Sequence, residues 1–187
     1  SKKYTYDIDI HKVENKNEIK KIAIIVDQIM GLNHSTAKAV LDYAVNIEKY
    51  LPNSKIKIFV EDNFRQSVEE SILINQYNSA ISKQIMAFHK SYLQEHNSQD
   101  IEIYYSNTNM CKKDRVREMI GEVVEFNPEI ILNMNNAYSL SMECLSKYFK
   151  SYYLTLGLVN WQDNQIYNFY FEGVNQDKLP KYDNNII

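Results

Sequence analysis

Glycine is scarce in this 187-residue chain, limited to Gly31, Gly121, Gly157 and Gly173. With glycines so far apart no G-x-G-x-x-G exists, and no G-x-x-x-x-G-K-[ST] occurs, which excludes the usual dinucleotide fingerprint and the P-loop. Cysteine is scarcer still: Cys111 and Cys144 lie far apart without a C-x-x-C, so neither a disulfide framework nor a zinc knuckle is expected. Free thiols of that kind suit a reducing cytoplasm, and both cysteines are expected to pack as small hydrophobes. His11, His34, His89 and His96 show no metal-ligand spacing and no H-E-x-x-H. No metal is therefore expected, and His89 and His96 read as helix-surface residues. There is no G-x-S-x-G nucleophile elbow. No apolar run approaches the roughly 18 residues of a membrane span. Arginine is confined to Arg65, Arg115 and Arg117, the lysines are scattered, and the net charge is −3, a balance that argues against nucleic acid as a partner.

What is present is globular: 44% hydrophobic and 24% charged residues in a length that suits one domain, 1–187. Within it, 1–20 reads as a lead segment, 21–157 as the core, and 158–187 as an edge strand and tail. Ser1-Lys2-Lys3 has no initiator methionine and no apolar segment behind it, so the start reads as a processed or excised end.

The run Ile22-Ala23-Ile24-Ile25-Val26 is continuously apolar and rich in β-branched residues, the pattern of a strand covered on both faces. A loop, Asp27–Ser35, follows. From Thr36, Ala37, Val40, Leu41, Ala44 and Val45 fall at helical spacing until Pro52 stops the helix near Tyr50. Lys55–Val60 is a second strand. Ser67-Val68-Glu69-Glu70 fits a capping box, and Ile81, Ile85, Phe88 and Tyr92 line one face of a longer helix.

Ile101–Tyr105 reads as a strand, Val116 to Val124 as an amphipathic helix closed by Pro128, and Glu129–Leu132 as a short buried strand. An Asn-rich turn, Asn133–Asn136, then leads to a helix with Leu140, Cys144, Leu145, Tyr148 and Phe149 on one side. Tyr152–Leu156 is a fifth strand. Ile166–Phe171 is an edge strand or hairpin arm, and Tyr4, Tyr6, Ile8 and Ile10 alternate as a half-exposed strand that would pair with it. Strands alternating with helices imply an α/β fold of the Rossmann-like, doubly wound type, with a mostly parallel sheet and helices on both faces.

In such sheets ligands bind outside the carboxyl ends of the strands, where the strand order reverses. The loops at those ends carry Asp27, Gln28, Gly31, Asn33, His34, Ser35 and Thr36; Glu61, Asp62 and Asn63; Asn107, Thr108 and Asn109; and Asn133, Asn135, Asn136 and Tyr138. Hydroxyl and amide groups dominate, which suits hydrogen bonding to sugars and other polyols. Gly31 permits a left-handed turn or a close ligand approach, and the helix start at Ser35 or Thr36 leaves backbone N–H groups free. His34 titrates near neutrality and is a candidate general base. Each has a plainer reading: Gly31 makes the turn, Asn33 or Ser35 caps the helix, and His34 faces solvent. Asp7-Ile8-Asp9 matches a D-x-D metal motif, but in an alternating strand it reads as two solvated acids.

The stretch Ile22–Val60, with Gly31, His34, Ser35 and Thr36 in its first loop, resembles the opening βαβ unit of bacterial GT-B-fold glycosyltransferases. Asn127-Pro128-Glu129 and the strand after it look like a strand common late in their amino-terminal halves. The resemblance covers about residues 20–157 and departs from the family in having Gly31 where a double or triple glycine is usual. It implies the acceptor-side half of an enzyme that transfers a sugar from a nucleotide sugar. The donor site would lie in a missing carboxyl-terminal domain, and the isolated chain would not turn over. By the same resemblance His34 or Asp27 would be the catalytic base. Gly31, Asn33, Ser35, Thr36, Asn107, Asn109, Asn135 and Asn136 would bind the sugar, glycan or glycoprotein acceptor. No cofactor is expected in this chain. An interaction or secretion-accessory module of GT-B-like form is the alternative, with an apolar patch near Trp161 and Phe169–Phe171. A receiver domain fits least, for want of a second acid beside Asp27 and a lysine after Tyr152–Leu156.

Overall fold

Five consecutive apolar residues leave a strand with no polar face, so its neighbours must cover it on both sides. A computed structural model describes residues 19–30, 35–61, 79–98, 100–107, 110–135, 139–154 and 166–169, and it places that strand, β1 (Lys21–Val26), in the interior of the sheet. There β1 pairs in parallel with β2 (Lys55–Val60) on one side and β4 (Ile130–Asn133) on the other. Beyond β2 lies β3 (Glu102–Tyr105), and beyond β4 lie β5 (Ser151–Leu154) and β6 (Ile166–Phe169). The order is β3-β2-β1-β4-β5-β6, with every described pairing parallel. This is a doubly wound, Rossmann-like α/β fold. Because β6 runs parallel to β5 at the sheet edge, Ile166–Phe169 is an edge strand and not the arm of a hairpin with β5. The lead strand and the capping box fall outside the described residues.

Alternation along β1 sorts the core into two layers. Ile24 and Val26 face one side with Ile58 and Val60, and are covered by Ala37, Val40, Leu41 and Ala44 of α1 (Ser35–Tyr50) and by Tyr92 and Leu93 of α2 (Ser79–Glu95). Ala23 and Ile25 face the other side with Phe59 and Ile131. Val116, Met119, Ile120 and Val123 of α3 (Lys112–Phe126) and Met142 and Leu145 of α4 (Leu140–Leu145) cover them.

Several boundaries have local causes. Helix α3 ends where Asn127 adopts the left-handed conformation (φ 50°), its N–H donating to the Val123 carbonyl, with Pro128 next. Its amino-terminal cap is Cys111, whose thiol donates to Asp114 Oδ2 at 3.1 Å; the expected apolar packing of this cysteine gives way to a helix-end role. Helix α4 is shorter than its periodicity suggests, because the chain turns after Leu145. Phe149 reaches the core by that turn while Tyr148 stays 48% exposed. On the α3–α4 face Lys57 is flanked by Glu102 and Glu122, at 3.6 and 3.5 Å, and lies over the Phe59 and Phe126 rings.

Candidate functional site

The strand order reverses between β1 and β4, so the crevice of this sheet opens beyond Val26 and Asn133. Asp27 follows β1 directly, half-buried, with its Oδ1 accepting from the Gln28 N–H at 2.9 Å. Across the switch, Ile25 of β1 is in register with Asn133, the last residue of β4. Met134 N–H donates to the Ile25 carbonyl and Glu61 N–H to the Val26 carbonyl, so the ladders continue past the strand ends and fix the start of each loop.

The polar groups buried at this end are concentrated on the α3–α4 face. Glu61, which follows β2, is only 4% exposed, and its Oε2 accepts from Ser139 Oγ at 2.5 Å and from Ser141 Oγ at 2.6 Å. Ser139 also caps α4, its Oγ accepting from the Met142 N–H at 3.2 Å. The Glu61 backbone carbonyl accepts from Ser106 Oγ at 2.7 Å. Glu61 thus ties the end of β2 to the β4–α4 turn across β1. A carboxylate taken out of water is costly unless hydrogen-bonded, and the two hydroxyls supply donors suited to its charge. Arg115 is buried in the first turn of α3.

Asn133 and Asn135 are both fully buried. Asn133 Oδ1 accepts from the Asn135 N–H at 3.1 Å, and the Asn135 carbonyl accepts from the hydroxyl of the buried Tyr153 at 3.2 Å. These bonds hold the backbone of the turn. Among the described residues the Asn133 Nδ2 and the whole Asn135 carboxamide, Nδ2 and Oδ1, have no hydrogen-bond partners.

The opposite face holds the loop after β1 by different means. His89 of α2 is fully buried and not on the helix surface where its polarity would put it. Its Nε2 lies 2.9 Å from the Met30 carbonyl and its Nδ1 lies 2.6 Å from the Tyr105 hydroxyl, while its ring stacks on Tyr105 at 9°. A carbonyl can only accept, so Nε2 carries the proton and Nδ1 accepts from Tyr105 in the neutral ring. Burial lowers the His89 pKa below its ordinary value, partly offset by the Met30 carbonyl, and burial raises that of Tyr105. His96, in contrast, is exposed.

Of the residues expected at the site, Asp27, Asn133 and Asn135 lie at the switch point, Thr36 is half-buried in the first turn of α1, and Asn107 is exposed beyond β3. Ser35 is the first residue of α1 and not part of the preceding loop. Gly31, Asn33, His34, Asn109 and Asn136 lie outside the described residues. Sequence patterns did not single out Ser139, Ser141, Arg115, His89 or Tyr105. Ser139 carried a usable signal as a cap residue directly before the apolar Leu140, and His89 another, three and four positions from Ile85, Tyr92 and Leu93. Among the described residues, no group of three or more His, Cys, Asp or Glu is placed to hold a metal ion, and no helix is long and apolar enough to cross a membrane. A groove of about 440 Å³ runs along the β3 edge, between Met86, Leu93, Ile101, Ile103 and Tyr105. Comparison with models of known protein families finds no match, and comparison with curated protein sequences finds none either.

Proposed function

We propose that this domain is the acceptor-side half of a GT-B-type glycosyltransferase, holding a neutral, hydroxyl-rich acceptor in the crevice between β1 and β4. The observation that carries the reading is the reversal of strand order at that point, with Asp27 leaving β1 and Asn133–Asn135 leaving β4. In open parallel sheets this is where ligands sit. The amide-rich chemistry of the rim favours hydroxyl groups over a phosphate, for which a glycine-rich loop would be expected.

In this reading the donor nucleotide sugar is bound by a second domain of the complete protein. Asp27 or His34 takes the proton from the attacking acceptor hydroxyl, and Thr36, Asn107 and Asn135 line the acceptor's path. A positioned general base contributes about 10²- to 10⁴-fold to a rate. In a transfer assay on the complete gene product, at least one of Asp27→Asn and His34→Ala is expected to lose activity on that scale while acceptor binding persists. Unchanged transfer in both variants would remove the catalytic assignment. A complete gene product that binds sugars but transfers none would leave a carbohydrate-binding module in its place.

A further inference from the structure

A folded protein seldom leaves a buried polar atom without a partner, because each such atom loses its hydrogen bonds to water and gains nothing in return. Here three sit together at one strand end: Asn133 Nδ2, Asn135 Nδ2 and Asn135 Oδ1, on two side chains with no exposed surface. Close by, Glu61 is met by Ser139 and Ser141 and the Asn135 carbonyl by Tyr153. The mismatch falls at the switch point, where a doubly wound sheet takes its ligand.

We propose that Asn133 and Asn135 are ligand-reading residues whose unpaired amide groups bind a neutral ligand bearing adjacent hydroxyl groups. The backbone bonds already described leave the turn fixed; with both side chains fully buried, a ligand reaches the amides only as the crevice opens over them. Asn135 offers an acceptor and a donor side by side, and Asn133 adds a further donor. Each hydroxyl of a vicinal diol both donates and accepts, so one can give its proton to Asn135 Oδ1 while its neighbour accepts from Nδ2. A third hydroxyl accepts from Asn133. A ligand lacking these groups would leave the amides unsatisfied, which is the strongest form of discrimination a neutral site has. This assignment rests on the acceptor-binding reading above and narrows it to a monosaccharide unit with a vicinal diol.

The test is thermal unfolding of the full chain, wild type and the variants Asn133→Leu and Asn135→Leu, with glucose, galactose or N-acetylglucosamine titrated in and glycerol as the solvent control. A sugar is expected to raise the wild-type Tm saturably where glycerol does not. In each leucine variant the apparent affinity should fall about tenfold or more, the loss of one good hydrogen bond. Without ligand Asn135→Leu should melt at or above the wild-type temperature, because an apolar isostere removes unsatisfied groups, whereas Asn133→Leu also removes the acceptor of the Asn135 N–H and should melt lower. Lower melting of ligand-free Asn135→Leu would overturn the assignment, since its amide would then be satisfied by internal water and serve the fold. Full sugar binding retained by both variants would also overturn it, while leaving the acceptor-binding reading intact. Absence of any sugar-induced shift in wild type would remove both.

Discussion

The two faces of the sheet bury ionisable groups under opposite terms. On the α1–α2 face His89 is neutral, and each ring nitrogen has one partner on a different strand-end segment. On the α3–α4 face Glu61 accepts from two hydroxyl donors, while among the described residues Asn133 Nδ2 at the end of β4 and the Asn135 carboxamide beyond it have no hydrogen-bond partner. The first face is finished as built. The second contains a matched half that holds the turn and an unmatched half that does not contribute to stability. Polar burial that is matched and polar burial that is not can thus be told apart by counting partners, and here they lie within one turn of chain.

The strongest way to break this contrast is to remove Glu61. Glu61→Ala leaves Ser139 and Ser141 without their shared acceptor in a buried site, and should destabilise the protein by about 3 kcal/mol in urea unfolding. A loss below about 0.5 kcal/mol would show that the β2-to-α4 tie does not hold the crevice wall.

On the other face, His89→Leu strips partners from the Met30 carbonyl and the Tyr105 hydroxyl and should cost about 2 kcal/mol. It should also change the pH profile. The folded pKa of His89 lies below the ordinary value of 6.5, so between the two the unfolded chain binds more protons than the folded one. Stability should be full above that ordinary value, fall as the pH drops through it, and level off below the folded pKa. Unfolding at pH 7.5 and pH 5.5 should show this drop in wild type and a smaller one in His89→Leu. Equal drops would mean that His89 does not carry the effect.

Tyr153→Phe probes the matched half more gently. It removes one hydroxyl from the Asn135 carbonyl, for about 1 kcal/mol, and if that bond presents the amide the variant should also weaken any sugar-induced Tm shift. The smallest effect has the opposite sign. Gly121 is exposed in α3, and a Cβ there would meet nothing within 4 Å, so Gly121→Ala should stabilise by about 0.5–1 kcal/mol without altering ligand response. A change in ligand response would show that α3 itself moves on binding.

Much of the architecture was legible in the sequence because it rests on periodicity. The unbroken run to Val26 demanded an interior strand, and Ala37, Val40, Leu41 and Ala44 demanded a buried helix stripe; both are found. The loop inventory led to Asp27, Asn133 and Asn135 because the strand-end rule needs only element order. His89 was misplaced because a histidine was read as surface for its polarity, although Ile85, Tyr92 and Leu93 put its position on the buried side of α2; its partners, Met30 and Tyr105, are distant in sequence. Glu61 could be placed at a strand end, but its burial depends on Ser139 and Ser141, some 80 positions away. The full length of α4 was over-read because Phe149 keeps helical phase with Leu145 although the chain has already turned.

The bonds of His89 and Glu61 also decide where the walls of the crevice are anchored. Met30, beyond β1, is fastened through α2 to the end of β3, and the β4–α4 turn is fastened to the end of β2. Each wall is thus held from β2 or β3 as well as from the strand that leads into it, and a shift at that margin of the sheet reaches both walls at once.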